Sequence, residues 1–108
     1  MNNQTIKKIS YSLIDTFLNA GKLSLELRDA GLIKKIKSDN TPVTNGDLEV
    51  NKILVKKIRE ITPDISIVSE ESHENKLNSN LKDFWLIDPI DGTYDYVNNG
   101  DEFTLNAA

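Results

Sequence analysis

Apolar residues recur every three or four positions along two stretches of the chain, the spacing that places them on one face of an α-helix. The first stripe consists of Ile6, Ile9, Leu13, Phe17 and Leu18. It predicts a helix over residues 3–28, which Gly31 ends. The second stripe consists of Leu48, Ile53, Leu54, Ile58 and Ile61. It predicts a helix over residues 44–61, with Pro63 just beyond its end.

Short runs of β-branched and aromatic residues predict strands between and after the helices. They span residues 32–37, 65–68, 84–87 and 103–107, with a turn at Asp39 and Asn40. The run from Trp85 to Ile87 is apolar without alternation, which is typical of a strand buried on both faces. A short helix is predicted over residues 93–97. The sum is a layered α/β fold, with helices packed on a sheet and no internal repeat.

The length and composition are those of one small domain. The chain has 108 residues, 38% of them hydrophobic, and no cysteine, which excludes a disulfide, a thiolate nucleophile and a cysteine-bound zinc site. So small a core is marginal in stability unless it packs against something. No apolar run approaches the roughly 18 residues of a membrane span, and no secretion signal precedes the first helix, so we expect a cytoplasmic protein.

Charge is distributed unevenly along the chain. The net charge is −4, and residues 83–108 hold six acids and no base. Such a concentration attracts cations, although acids at a chain end also serve simply to solvate it. The lysine-rich patches at 34–37 and 52–59 lack interleaved aromatic residues, so no nucleic-acid partner is expected. His73 lies in a polar stretch and is expected at the surface, not as a catalytic base.

The segment W-L-I-D-P-I-D-G-T at 85–93 carries the clearest chemical signal. Asp88 and Asp91 follow an apolar strand, and their oxygens, with the Ile90 carbonyl, suit Mg²⁺ or Mn²⁺. Gly92 and Thr93 can form a tight turn that opens a helix, whose unpaired N–H groups would face an anion. The alternative is a plain turn, because Asp, Pro and Gly commonly separate elements.

Two further acidic positions accompany this segment. Glu70 and Glu71 follow the strand at 65–68, and sites of α/β sheets gather at strand ends, so these acids and Asp88 could meet around one ion. Thr44 is a good N-cap for the second helix, and Asp47, three residues later, can close a capping box. A structural role alone would account for Asp47, but a carboxylate there could also accept a hydrogen bond from a threonine hydroxyl.

Taken together, four segments resemble the inositol monophosphatase family of metal-dependent phosphatases. They are S-D-N-T-P-V-T-N-G-D at 38–47, V-S-E-E at 68–71, W-L-I-D-P-I-D-G-T at 85–93 and E-F-T-L-N-A-A at 102–108. The serine before the glutamate pair and the Glu-Phe-Thr run look most like the 3'(2'),5'-bisphosphate nucleotidase branch. The resemblance implies the family's layered α/β sandwich, with residues 1–108 forming the N-terminal part of a single catalytic domain.

The resemblance also implies metal ligands. Glu70, Asp88 and the Ile90 carbonyl would hold a first Mg²⁺, and Asp88 and Asp91 a second. In the family's scheme a water activated by the metal attacks phosphorus in line, while the second ion stabilises the leaving oxygen. Two or more ions are therefore expected, with Mn²⁺ as a possible substitute.

Catalytic and substrate-binding roles follow from the same resemblance. Glu70 would be a catalytic residue, Thr93 would orient the attacking water, and Asp47 would orient Thr93. The backbone N–H groups of Gly92 and Thr93 would hold the phosphate oxygens. The expected reaction is removal of the 3'-phosphate of adenosine 3',5'-bisphosphate. Inositol monophosphatase activity, or an inactive fragment that binds metal and phosphate, stays as an alternative, and lithium sensitivity is expected.

The sequence departs from the family pattern in two respects. Gly46 stands where alanine is usual, at a cost of about 1 kcal/mol in helix propensity that leaves the chemistry intact. The family's further metal-binding aspartate and most substrate-recognition groups come from a later part of the chain that this sequence does not contain. We expect a truncated chain whose last strand leaves an open sheet edge, which favours self-association.

Overall fold

The computed structural model describes residues 1–71 and 83–108, so His73 lies outside the described residues. The elements are α1 (Asn3–Ala30), β1 (Lys34–Ile36), β2 (Pro42–Thr44), α2 (Asn45–Ile61), β3 (Ser66–Ser69), β4 (Phe84–Asp91), α3 (Thr93–Val97) and β5 (Thr104–Ala107). The predicted α/β class is confirmed. Both long helices, the short helix and all the predicted strand regions are present.

The first helix runs two residues further than the sequence predicts. Asn2 caps its start by accepting a hydrogen bond from the Thr5 N–H at 2.8 Å, and the Gly31 N–H closes its end on the Arg28 carbonyl. Its inner face packs against α2 through Leu13 and its neighbours. Although α1 has 28 residues, none of the described helices is long and apolar enough to cross a membrane.

A β-hairpin replaces the single strand predicted at 32–37. Strands β1 and β2 pair antiparallel, with Lys34 opposite Thr44. The turn closes with a hydrogen bond from the Lys37 N–H to the Thr41 carbonyl at 2.8 Å, and Asn40 adopts a left-handed conformation at φ 68°. The sequence concealed β2 because it has only three residues and begins with a proline, which cannot donate to a ladder. The hairpin delivers Thr44 to the start of α2.

The second sheet is three-stranded, in the order β3-β4-β5. Strand β3 is parallel to β4, and β5 is antiparallel to it. Helix α2 covers one face of this sheet, with Leu54 and Ile58 packed against Ile67 and Ile87 in one core. The Trp85 indole N–H also donates to the Thr62 hydroxyl at 3.0 Å, which ties the end of α2 to β4.

Strand β4 differs from its sequence-based prediction in two ways. It was expected to end at Ile87, but it continues through Pro89 to Asp91. It was also expected to be buried on both faces, whereas Leu86 is 55% exposed and Ile87 is 1% exposed. Within the described residues, helices cover one face of the sheet and leave the other open, so burial alternates along the strand.

Candidate metal and phosphate site

A β-bulge in β4 brings Asp88 and Asp91 to the same face of the sheet. Residues three apart in a regular strand point to opposite faces, because side chains alternate. Here Asp88 pairs with Asn106 and Asp91 pairs with Thr104, so β4 has one more residue than β5 between the two pairs. The two residues between the aspartates are both buried, and the first is a proline, which has no N–H to donate. The bulge therefore reverses the alternation and aligns the two carboxylates.

Glu70 joins these aspartates because β3 runs parallel to β4 and ends beside it. Ser69 pairs with Ile87, and the Glu70 N–H donates to the Ile87 carbonyl at 3.1 Å. Continued register places Glu70 next to Asp88. The pKa of Asp88 is raised to about 6. Burial is the largest cause, and the charges of neighbouring carboxylates, Glu70 first, add to it. Acids from two strands therefore contribute to the raised pKa of Asp88, after burial.

Asp47 has the predicted place in a capping box at the start of α2. One of its oxygens, Oδ2, accepts from the Thr44 N–H at 2.8 Å and from the Thr44 hydroxyl at 2.6 Å. The Asp47 N–H donates back to Thr44 Oγ1 at 3.3 Å. Its other oxygen, Oδ1, accepts from the Thr93 hydroxyl at 2.9 Å. Both readings of Asp47 in the sequence hold together, because a carboxylate has one oxygen for the cap and one for Thr93.

The turn after β4 is the tight glycine turn, opening a helix, that the sequence predicts. Gly92 lies in the left-handed region at φ 86°, and a Cβ there would come within 2.6 Å of the Glu102 carbonyl oxygen, so only glycine fits. It precedes α3 as the N-cap without offering a side-chain cap. Thr93 opens the helix, and its hydroxyl oxygen lies 3.2 Å from the Ile90 carbonyl oxygen. The turn therefore connects β4, which carries Asp88 and Asp91, to Thr93, the residue that donates to Asp47.

An ion pair that the sequence analysis missed borders this cluster. The Lys37 ammonium lies 3.2 Å from Glu71 Oε1 and 3.9 Å from Glu70 Oε2. Burial lowers the pKa of Lys37, but the hydrogen bond to Glu71 and the nearby carboxylates outweigh burial and raise it overall. Burial also raises the pKa of Glu71, in spite of the opposing effect of Lys37. No signal in the sequence joins these residues, because the contact depends on the hairpin turn lying beside the glutamates that follow β3.

A second missed contact holds the glutamate turn from the side of α2. The Ser69 hydroxyl donates to Asn51 Oδ1 at 2.5 Å and accepts from the Glu71 N–H at 3.3 Å. Both Asn51 and Ser69 are buried. The serine was noted in the sequence as a marker of one branch of the family, but its partner was not. A glycine at this position could make neither contact.

The residues present fit a hard divalent cation. Glu70, Asp88 and Asp91 supply carboxylate oxygens, and the carbonyl of Ile90 supplies a neutral one, which is the donor set that Mg²⁺ and Mn²⁺ prefer. Burial is the main cause of the raised pKa of Asp88, and the negative charges of Glu70 and Asp91 raise it further. In residues 1–71 and 83–108, no three acid, imidazole or thiol side chains converge tightly enough to cage an ion by themselves. The carbonyl and bound water would have to complete the coordination.

The fold and the site define an α/β protein with acidic residues near the carboxyl ends of two neighbouring parallel strands, beside a glycine turn. Comparison with known proteins identifies the family: a sequence model described as "Inositol monophosphatase family" matches residues 2–108. The chain belongs to that family. The resemblance inferred from the four motifs is confirmed, and so is the fold class.

Curated relatives of the chain include bisphosphate nucleotidases. The 3'(2'),5'-bisphosphate nucleotidase CysQ of Haemophilus influenzae is 40% identical over 73 residues, covering 66% of this chain and 27% of that protein. CysQ of Escherichia coli O157:H7 is 33% identical over 93 residues, covering 83% of this chain and 38% of that protein. The chain therefore spans roughly a third of the length of these relatives.

Solved structures with a similar fold include an IMPase of Thermotoga maritima. It is 27% identical, with a TM-score of 0.79, covering 94% of this chain and 39% of that one. An IMPase/NADP phosphatase described as complexed with Mg²⁺ and phosphate is 23% identical, with a TM-score of 0.75, covering 97% of this chain and 39% of that one. The second comparison shows the shared fold alone.

Proposed function

We propose that the chain forms part of a phosphomonoester hydrolase that depends on a divalent metal, Mg²⁺ in the first instance. The single observation that carries the proposal is the strand pairing, which places Glu70 beside Asp88 and, through the bulge, Asp88 and Asp91 on one face of the sheet. Glu70 follows the end of β3, and Asp88 and Asp91 flank the bulge in β4. The charges of Glu70 and Asp91 raise the pKa of Asp88, after burial, which is the larger cause. The family match and the CysQ relatives support the same reaction class.

The proposed ligands are Glu70, Asp88, the Ile90 carbonyl and Asp91, which suit two or more ions, with Mn²⁺ as a substitute. A cation held by these oxygens would lower the pKa of bound water and offset negative charge on phosphate. The chain's own task is to hold these oxygens in place before the cation arrives. The bulge does so for the two aspartates, and the parallel pairing with β3 does so for Glu70.

Thr93 is proposed to orient the attacking water. Its hydroxyl donates to Asp47 Oδ1 at 2.9 Å, the shorter of its two acceptor contacts, which leaves its oxygen lone pairs as acceptors for a water O–H. Asp47 is fully buried and fixed by the capping box, so it can hold this direction rigidly. Asp47 is then a positioning residue, and Thr93 touches the reacting water.

The backbone N–H groups of Gly92 and Thr93 are proposed to bind the phosphate oxygens. The left-handed turn at Gly92 presents the backbone without a side chain in front of it. Amides at the start of a helix favour an anion, and the neighbouring cation would offset the repulsion from the carboxylates. Substrate binding should therefore require the metal.

The proposed substrate is adenosine 3',5'-bisphosphate, which would lose its 3'-phosphate. The support is the similarity to the CysQ proteins, which are named as 3'(2'),5'-bisphosphate nucleotidases, and the serine before the glutamate pair. Inositol monophosphatase activity is the second candidate, favoured by the similarity to the Thermotoga IMPase. A fragment that binds metal and phosphate without turnover is the third, because the chain spans only a third of its relatives.

The test is release of inorganic phosphate from adenosine 3',5'-bisphosphate and from inositol monophosphate, with Mg²⁺ and with a chelator. We expect turnover of the nucleotide that requires Mg²⁺ and falls on addition of Li⁺. Asp88→Asn should abolish turnover, and Asp64→Asn, which removes an exposed acid before β3, should leave it unchanged. Faster release from the inositol substrate would transfer the assignment to the second candidate. Calorimetric Mg²⁺ binding without release from either substrate would support the binding fragment.

A further inference from the structure

The ion pair between Lys37 and the glutamate turn is markedly asymmetric. The Lys37 ammonium donates a hydrogen bond to Glu71 Oε1 at 3.2 Å, whereas Glu70 Oε2 lies at 3.9 Å, beyond hydrogen-bond distance. The Glu71 side chain is 8% exposed, and the Glu70 side chain is 61% exposed. Lys37 is thus hydrogen-bonded to the buried Glu71 and makes only a longer ionic contact with the exposed Glu70.

We infer that Lys37 is a built-in counter-cation that occupies the edge of the metal site and competes with the divalent ion for Glu70. Glu71 is the anchor that keeps the ammonium within reach. This inference rests on the proposed function, because it takes Glu70 to be a metal ligand. It assigns Lys37 and Glu71 as positioning residues that set the affinity for the ion.

The surrounding contacts hold this arrangement in place from both sides. The Lys37 N–H donates to the Thr41 carbonyl in the hairpin turn, so the backbone below the ammonium is fixed. On the other side, the Ser69 hydroxyl, itself bonded to Asn51, accepts from the Glu71 N–H. A surface lysine with a free backbone would move away when an ion arrives. Lys37 cannot move far without leaving a buried carboxylate unpaired, which is costly.

Electrostatics gives the consequence for ion binding. An ammonium group near a bound divalent cation repels it, and this repulsion persists because the pair is partly shielded from solvent. The affinity for the ion is therefore lower than the carboxylates alone would give. In the absence of an ion, the same ammonium compensates Glu71 and stabilises the fold.

The experiment is calorimetric titration of the chain with MgCl₂, together with urea unfolding in a chelator. In Lys37→Met we expect the Kd for Mg²⁺ to fall roughly five- to tenfold, since a repelling charge is removed. The unfolding midpoint in the chelator should also fall, because Glu71 loses its partner. Lys37→Arg should keep both values near those of the wild type. Lys34→Met, which removes an exposed lysine of the adjoining strand β1, is the matched control and should change neither.

Glu71→Gln is the second variant and should shift the affinity in the opposite direction. With its anchor neutralised, Lys37 turns to Glu70, and the Kd for Mg²⁺ should rise roughly fivefold. In the double variant Lys37→Met with Glu71→Gln, the local net charge equals that of the wild type. We expect its Kd to return to within about twofold of the wild-type value. Its unfolding midpoint should exceed that of Lys37→Met.

The outcomes separate this inference from the proposed function. If Lys37 had only a structural role, Lys37→Met would weaken both ion binding and the fold. A higher Kd for Mg²⁺ in Lys37→Met therefore overturns the inference. An unchanged Kd in both Lys37→Met and Glu71→Gln, with wild-type binding intact, overturns it as well and leaves the proposed function standing. If the wild type and all variants bind no Mg²⁺ while the unfolding arm behaves as expected, the proposed metal site itself fails, and the inference fails with it.

Discussion

At the scale of single residues, Asp47 shows how one side chain can serve the fold and the site together. Its Oδ2 atom accepts two hydrogen bonds from Thr44, and its Oδ1 atom accepts one from Thr93. Because the cap holds the carboxylate rigidly, the Thr93 hydroxyl has a fixed acceptor for its hydrogen bond. The stability of α2 and the orientation of the threonine hydroxyl are consequently linked.

Removal of the Thr93 hydroxyl should affect both the stability of the protein and its phosphatase turnover. Thr93→Val leaves Asp47 Oδ1 without its donor in a buried position, so we expect a loss of about 1–3 kcal/mol in the free energy of unfolding. Phosphatase turnover should fall about 10- to 100-fold. Thr93→Ser keeps the hydroxyl and should retain both. Urea unfolding and phosphate release measure the two effects, and full turnover in Thr93→Val would contradict the proposed role.

Tyr96 makes the stability of the fold sensitive to alkaline pH. Its hydroxyl is buried and donates to the Ser24 carbonyl at 2.6 Å. Burial, and then the charge of Asp47, raise the pKa of Tyr96 to about 12 from the ordinary value of 10.0. The folded protein therefore keeps a proton that the unfolded chain releases between these two values.

The free energy of unfolding should accordingly fall as the pH rises from about 10 to about 12, and this contribution is fully present below pH 10. Urea unfolding at a series of pH values measures the slope. Tyr96→Phe should lack this component of the slope. Tyr94→Phe, which alters a ring that is 74% exposed, should keep it. Equal slopes in Tyr96→Phe and the wild type would contradict the assignment.

At the scale of elements, the contact between α2 and α3 explains the glycine that departs from the family pattern. Helix propensity suggests that alanine at position 46 would be better by about 1 kcal/mol. In the structure, however, a Cβ on Gly46 would come within 2.7 Å of Tyr96 Cε2. The ring of Tyr96 has taken the space that alanine would need. The cost expected from the sequence is thus outweighed by close packing between helices.

Gly46→Ala should therefore destabilise the protein, in contrast to the propensity scale. We expect a loss of about 1–3 kcal/mol in the free energy of unfolding, because the ring is buried and cannot move aside freely. Gly21→Ala is the matched control within α1, where nothing lies within 4 Å of the added Cβ. That variant should gain about 0.5–1 kcal/mol. Thermal or urea unfolding compares the two, and a gain in Gly46→Ala would contradict the packing argument.

At the scale of the whole molecule, the described sheet has one covered face and two free edges. Helix α2 packs on one face, and β3 and β5 form the edges of the order β3-β4-β5. Strand β5 is held to β4 by reciprocal hydrogen bonds between Leu86 and Ala108. The neighbouring Ala107 N–H consequently points away from β4, toward the open edge. An unpaired edge of this kind can pair with a second copy of the chain.

We expect the chain to self-associate through this edge at high concentration. Ala107→Pro removes an N–H that faces outward, so it should reduce association while it preserves the ladder with β4. Asn106→Pro removes an N–H that faces β4, and it should lower stability instead. Sedimentation at several concentrations, combined with urea unfolding, distinguishes the two variants. Undiminished association of Ala107→Pro would place the contact elsewhere on the molecule.

The hollow at the far end of the sheet also belongs to this scale. A cavity of about 400 Å³ lies between the start of α1 and the start of β4, lined by residues that include Ile9 and Trp85. It is at the opposite end of β4 from Asp88 and Asp91. Its lining is largely apolar, so it contributes nothing to the chemistry proposed for the acidic end.

Local sequence determined those features that depend on near neighbours. The two long helices follow from the apolar stripes, the cap follows from Thr44 and Asp47, and the glycine turn follows from the residues around Gly92. Each involves residues within a few positions of one another, where spacing alone determines geometry. The candidate acids were noted for the same reason, because Glu70 follows one apolar run and Asp88 and Asp91 follow another.

Tertiary structure decided everything that depends on which strands lie side by side. The alignment of Asp88 with Asp91 required the bulge against β5, and the contact of Lys37 with Glu71 required the hairpin turn to lie beside the residues that follow β3. The choice of glycine at position 46 required the ring of Tyr96, 50 positions later in the sequence. Such contacts bring distant segments together, and no periodicity along the chain encodes them. The sequence thus determined which groups are available for chemistry, and the packing decided which of them face one another.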